Sequence, residues 1–264
     1  MKVRKRMNSK KKLLILGNTI AVFATIIVNA LANIIPIGGN LTGEISDNIQ
    51  NLFVPAGLTF AIWGVIYVLI LLFAGYQLMD FFGKIETKSE YVNKISFWFI
   101  LGSLGNIVWI FLWHYEQIIL SMIPILVLFV SLLMAYIRLN IGNSDASQKE
   151  RYFIHLPISV YLGWLTVATI ANVTAALVTL GVGGLVLGEI VWTVLVIVVA
   201  MIITLLVLYQ KHDVGYSLVI IWALLGIIIK QYGENQSIVL TAGLSIVIIT
   251  IFMLFQIVQR KQFI

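Results

Sequence analysis

Tryptophan, tyrosine and asparagine recur at helical spacing in three apolar stretches of this chain. Thr59, Trp63 and Tyr67 follow one another at intervals of four. Asn106, Trp109 and Trp113 follow at three and four, and Tyr161, Trp164, Ala168 and Asn172 at three, four and four. On a helix each set falls on one face. Flat rings beside amides suit the walls of a pocket for a flat apolar ligand: rings supply stacking area, and indole N–H and amide groups orient polar substituents. The same groups also make interhelical hydrogen bonds, and tryptophan near the end of an apolar stretch serves as an interfacial anchor. Spacing alone leaves both uses open. Trp98, Trp192 and Trp222 fit the belt or packing, while Asn29 and Asn33, four apart, either face the same cavity or bridge helices.

Other chemistry finds little material. The acids (Glu44, Asp47, Asp80, Glu86, Glu90, Glu116, Asp145, Glu150, Glu189, Asp213 and Glu234) and the histidines (His114, His155 and His212) lie at the edges of apolar stretches or between them. A pump built on an ionisable group at the membrane midplane is not expected from such a pattern. With no cysteine, thiolate nucleophiles, disulfides and cysteine–metal sites are excluded. No paired carboxylates or metal-ligand spacings stand out, so the expectation is a protein that is not an enzyme, with no catalytic or metal residues.

The elements that position these faces follow from composition. Hydrophobic residues make up 61% of the chain and charged residues 11%, against roughly 25% charged in soluble domains. Mean hydropathy is +1.03. Such a chain is solvated by lipid, where only helices or closed barrels satisfy the backbone. The apolar runs are unbroken rather than alternating, which selects helices. At about 20 residues per crossing, the sequence predicts an all-α integral membrane protein with eight spans, near 13–36, 53–79, 95–113, 117–138, 153–176, 189–210, 214–230 and 236–258.

Charge supports this count. Seven basic residues crowd the tail at 1–12, and sixteen of the 17 Lys and Arg fall on one side of the eight-span scheme, leaving Lys230 alone on the other. The positive-inside rule then places the chain in a cell membrane as a multi-pass protein with both termini cytoplasmic. The net charge of +6 sits mainly in that tail, beside anionic headgroups, and no basic surface interleaved with aromatics points to nucleic acid. A basic start, an apolar stretch and Ala30-Leu31-Ala32 resemble a cleavable signal, but the stretch exceeds the usual 7–15 residues. The first span is therefore expected to be retained.

Taken together, the three faces resemble the TspO/MBR family of tryptophan-rich sensory proteins, relatives of the mitochondrial translocator protein. The resemblance rests on Pro55 followed by Trp63 and Tyr67, on Asn106-Ile107-Val108-Trp109, and on Tyr161-Leu162-Gly163-Trp164 with Ala168-Thr169 and Asn172. It covers residues 13–176 and implies a five-helix bundle whose pocket, associated with porphyrins, sterols and benzodiazepine-type ligands, is closed by the connector 37–52. Trp63, Tyr67, Asn106, Trp109, Trp164, Ala168 and Asn172 are the ligand-binding residues it implies, with a tetrapyrrole as the candidate ligand. The chain departs from the family pattern at Gly57, at the single Pro55, at Pro157 four residues before Tyr161, and at Val173-Thr174-Ala175-Ala176 after Asn172.

The organisation expected is thus a basic tail at 1–12, a TspO-like core at 13–176, a glycine-rich connector at 177–188 and a three-helix membrane extension at 189–264. That extension carries no recognisable motif and would cover a bundle face that other members use to dimerise, so an oligomer stays open. The function implied is binding of a flat hydrophobic small molecule between helices. The alternative is an uncoupled carrier for an apolar metabolite.

Overall fold

The computed structural model describes residues 8–49, 51–85, 90–182 and 187–260. Lys2, Arg4, Lys5, Arg6, Glu86, Lys88, Gly183, Gly184 and Lys261 lie outside the described residues. Every regular element among those described is helical: α1 (Ser9–Ile34), α2 (Thr42–Asn48), α3 (Ile62–Phe81), α4 (Tyr91–Ile95), α5 (Trp98–His114), α6 (Ile118–Leu139), α7 (Gln148–Glu150), α8 (Leu156–Thr179), α9 (Glu189–Lys211), α10 (Val214–Gln231) and α11 (Gln236–Arg260). Short 3₁₀ turns at Ile37–Gly39 and Gly57–Ala61 and a π turn at Arg151–His155 complete the set.

Seven helices are long and apolar enough to cross a membrane, and Trp98–His114 is an apolar helix of 17 residues. The second apolar stretch becomes helical at Gly57 rather than near 53. Pro55 explains the delay, because a proline holds the residue before it out of the α region and cannot donate its own backbone bond. The fifth stretch instead begins early, at Gln148, where Ser147 caps the chain by accepting from the backbone N–H of Glu150 at 3.3 Å. Helix ends elsewhere use left-handed residues, Asn140 after α6 and His212 after α9.

Four of the long helices and the shorter α5 close into a ring. Helix α1 packs on α3 and α5, α5 on α6, α6 on α8, and α8 returns to α3. The α5–α6 pair is the tightest. Gly102 faces the side chains of Ser131 and Leu128, and Gly105 faces the backbone of Pro124 and Leu128, so α5 puts no side chain of its own into the contact at these points. The remaining three, α9, α10 and α11, pack on one another and meet the ring chiefly through α10 against α8. Helix α8 thus has neighbours on nearly all sides. Its most apolar window is 78% buried, against 22% for α9, which faces outward.

Polar residues at helical spacing stitch the ring internally. Asn18 Nδ2 donates to Gln77 Oε1 at 2.9 Å between α1 and α3. Asn29 Nδ2 donates to Asn106 Oδ1 at 2.6 Å between α1 and α5, and Asn106 Nδ2 donates to the Tyr161 hydroxyl at 3.2 Å on α8. Of the two asparagines expected together, Asn29 bridges helices, whereas Asn33 is exposed and donates back to the carbonyl of Asn29. Such bonds in apolar surroundings contribute about 0.6 kcal/mol each on average. Their larger effect is to fix which helix faces meet.

Candidate functional site

At the end of the ring where α5 turns into α6, a cavity of about 40 Å³ opens among α3, α5, α8 and the connector after α1. Five of the seven residues expected at a ligand site line it: Trp63, Trp109, Trp164, Ala168 and Asn172. Tyr67 and Asn106 do not. Tyr67 stacks behind Trp63, with ring centroids 5.7 Å apart and planes at 26°. Asn106 sits one helical turn from Trp109, fully buried, as the junction between α1 and α8.

The rings form one continuous wall. Trp63 meets Trp164 edge-on at 6.3 Å and Tyr161 at 5.9 Å, and Phe60 meets Trp164 edge-on at 5.7 Å. Trp109 and Trp113 stack at 5.5 Å on the facing side. These are the offset and T-shaped geometries that ring quadrupoles favour. The residue spacing on each helix produces them, because each stripe presents its rings to the same interior.

Two of the indole N–H groups are already used. Trp109 Nε1 donates to Asn172 Oδ1 at 2.7 Å, and Asn172 Nδ2 donates to Ser121 Oγ at 3.0 Å, which ties α5, α6 and α8 together. Trp113 Nε1 donates to the backbone carbonyl of Thr42 at 3.2 Å. Trp164 differs. Its residue is 2% exposed and its Nε1 has no hydrogen-bond partner. An unpaired buried donor costs about 1–3 kcal/mol, so an acceptor brought within reach of this N–H by a rearrangement of the rings would gain that much.

The connector after α1 forms the roof. Glu44 accepts from the backbone N–H of Leu41 at 2.7 Å and starts α2. Thr42 and Ser46 of α2 line the cavity. His114 Nε2 lies 2.8 Å from Thr42 Oγ1 and its Nδ1 lies 3.0 Å from the carbonyl oxygen of Ile37. Gly38 makes that approach possible: its φ is +73°, and a Cβ there would strike the His114 carbonyl oxygen. Past α2, Asn51 Nδ2 donates to Thr174 Oγ1 at 2.7 Å and to the carbonyl of Ala171 at 3.0 Å.

The three-helix segment reaches the same roof. Lys230 Nζ pairs with Asp47 Oδ1 at 2.6 Å, and Gln231 Nε2 donates to the carbonyl of Leu52 at 3.0 Å. The backbone N–H of Ala56 donates to the carbonyl of Gly226 at 3.0 Å, and Trp222 Nε1 donates to the carbonyl of Thr59 at 2.9 Å. Gly226 has no room for a side chain, since a Cβ would collide with Thr59 and Pro55.

A second cavity, of about 110 Å³, lies toward the other end of the helices between the ring and the three-helix segment. Arg151, His155, Ser159, His212, Asp213 and Gln256 supply its polar lining. The π turn at Arg151–His155 carries two of these residues. Asp213 is buried, and its two carboxylate oxygens accept from Ser159 Oγ at 2.6 and 2.7 Å, while Oδ1 also accepts from the backbone N–H of Tyr216 at 3.1 Å. Burial pushes the Asp213 carboxyl above its ordinary value, and the Ser159 hydroxyl pulls it part of the way back. In the sequence these residues lie partly between spans (Arg151, His212, Asp213) and partly within them (His155, Ser159, Gln256), and no local pattern joins them, because they come from α8, α11, the π turn and the α9–α10 turn. No group of three or more His, Cys, Asp or Glu suited to a metal occurs among the described residues.

No curated protein and no solved structure matches the chain. A family model does: that of TSPO-like proteins matches residues 14–255, running from α1 across the glycine-rich connector and into α11. A ring of apolar helices around a tryptophan-lined cavity, spanned end to end by that match, makes this chain a multi-pass membrane protein of the TspO type, belonging to the TSPO-like protein family.

Proposed function

We propose that this protein binds a flat hydrophobic small molecule, a tetrapyrrole or a molecule of similar shape, between the helices of the ring and beneath the 37–52 connector. The observation that carries the reading is the cavity itself, lined by Trp63, Trp109, Trp113 and Trp164, with the buried N–H of Trp164 left without a partner. In its closed form the cavity has room for about three water molecules, whereas a drug-sized ligand occupies roughly 300–1,000 Å³. Binding therefore requires the roof to lift and the Trp63 and Trp164 rings to part. Trp63, Trp109 and Trp164 supply stacking area, Asn172 and Ser121 hold Trp109 in place, and Tyr67 and Asn106 support the wall from behind. No covalent step is assigned to the protein.

The same reading places α5 as an eighth span. Seventeen residues at 1.5 Å rise give about 25 Å, within the range used by membrane helices of about 17–25 residues. Eight crossings and the basic-residue asymmetry put both termini in the cytoplasm of a cell-membrane protein, with the aromatic cavity toward the outer face.

Titration of the detergent-purified protein with protoporphyrin IX, followed by tryptophan quenching, tests the binding. Trp164→Phe keeps an aromatic ring but removes the N–H together with part of the indole, and loss of the hydrogen bond alone predicts at least about a tenfold weaker affinity. Trp63→Ala, which removes ring area, is expected to weaken binding further. If both variants bind as tightly as the unmodified protein, the cavity is not the site.

A further inference from the structure

We propose that Lys230 and Gln231 are positioning residues for the cavity roof, so that the three-helix segment sets how readily the ligand site opens. The inference rests on the reading of the aromatic cavity as a ligand site. Its starting point is an anomaly in the charge pattern: of 17 basic residues, Lys230 is the single one on its side of the eight-span scheme. A lone cation held against that bias needs a local reason. Asp47 provides one, at 2.6 Å.

Asp47 lies in the last turn of α2, where the helix dipole disfavours a carboxylate, and Lys230 lies in the last turn of α10, where it favours a cation. Pairing them relieves the unfavourable end of the roof helix with the favourable end of a helix outside the ring. Gln231 is buried, and its amide is oriented on both sides. Its Oε1 accepts from Asn235 Nδ2 at 2.8 Å, and its Nε2 donates to the Leu52 carbonyl at 3.0 Å. The roof is therefore held at two places by different parts of the molecule. Its beginning is tied to α5 through His114 and Trp113. Its end is tied to α8 through Asn51, and to α10 through Asp47 and Leu52.

The strengths of these ties differ. The carbonyl contacts of Trp222 and the Gly226 backbone join α10 to the start of the second stretch, beyond the roof. The Lys230–Asp47 pair touches the roof itself and keeps side-chain exposures of 27% and 49%. A partly exposed ion pair is weak and screened by salt, which suits a contact that opens and closes. Gln231, out of solvent, sets the register to which the roof returns.

Hydrogen–deuterium exchange of the full-length protein in detergent, without ligand, reads the roof directly. Lys230→Met is expected to raise exchange in residues 41–49 by about twofold to fivefold, and Lys230→Arg to keep it near the starting level. The reversed pair Lys230→Asp with Asp47→Lys is expected to restore protection, and Gln231→Leu to raise exchange independently of salt. Raising the salt concentration is expected to loosen the unmodified roof but not that of Lys230→Met. Unchanged exchange at 41–49 in Lys230→Met, failure of the reversed pair to restore it, or a uniform rise across α9–α11 would overturn the proposal. The measurement needs no ligand. If protoporphyrin IX fails to bind while the exchange results hold, the ligand reading falls and the roof contact stands. If it does bind, faster association to Lys230→Met is expected.

Discussion

The two cavities are built by opposite strategies. The one under the connector is walled by rings contributed in stripes, with the Trp109 and Trp113 N–H groups already bonded and that of Trp164 unpaired. The one at the seam has a largely apolar lining into which separate elements bring Arg151, His155, His212 and the buried Asp213. In a chain solvated by lipid, a ring stripe can be placed at any depth at little cost, because an indole or phenol is apolar over most of its surface. A carboxylate cannot, and Asp213 stands between α9 and α10, next to the break between two helices.

The largest effect expected from breaking this contrast is at Asn172. Replacing it with Leu leaves the Trp109 N–H without its acceptor and Ser121 Oγ without its amide donor, with both groups buried. Two such losses at about 1–3 kcal/mol each predict roughly 3 kcal/mol of destabilisation, measurable by thermal unfolding in detergent. Replacing Ser121 alone with Ala removes its contacts to Asn172 and to the Ile118 carbonyl but leaves the Trp109–Asn172 bond, and is expected to cost less, about 1 kcal/mol.

The seam responds to pH instead. Asp213 has a folded-state pKa raised above its unfolded value of 3.8, so its protonated form favours folding. That contribution is complete below 3.8 and is lost as pH rises through the raised value. Asp213→Asn mimics the protonated carboxyl and still caps α10. Its melting temperature is expected to vary less with pH than that of the unmodified protein, and to exceed it at neutral pH. An unaltered pH profile in the variant would detach Asp213 from the effect. The smallest change is expected at Trp113→Phe, which keeps an aromatic ring in the stack, though a smaller one, and drops the bond to the Thr42 carbonyl. A loss of about 0.5–1.5 kcal/mol would appear as faster exchange at the start of α2, with the seam unmoved.

This contrast also explains what could be read from the sequence. Stripes within one helix need only a period, and Trp63, Trp109, Trp164, Ala168 and Asn172 converge as that period requires. Tyr67 and Asn106 share those faces yet stand behind the wall, because a stripe two turns long extends past a small cavity. Thr42 and Ser46 of the roof were beyond periodicity, since their placement depends on Gly38, Glu44 and His114 acting across the chain. The seam cavity was invisible for the same reason: Ser159 and Asp213 are 54 residues apart and no local pattern links them. The delayed start of the second helix was legible in Pro55 once its effect on the preceding residue is counted.

Hydrogen–deuterium exchange across the whole chain, with and without saturating protoporphyrin IX, sets the two cavities directly against each other. The account predicts protection in the connector 37–52 and in the α5 and α8 segments around Trp109 and Trp164, with the seam around Ser159 and Asp213 unchanged. Protection at the seam with the connector unaffected, or no protection at either place, would contradict it.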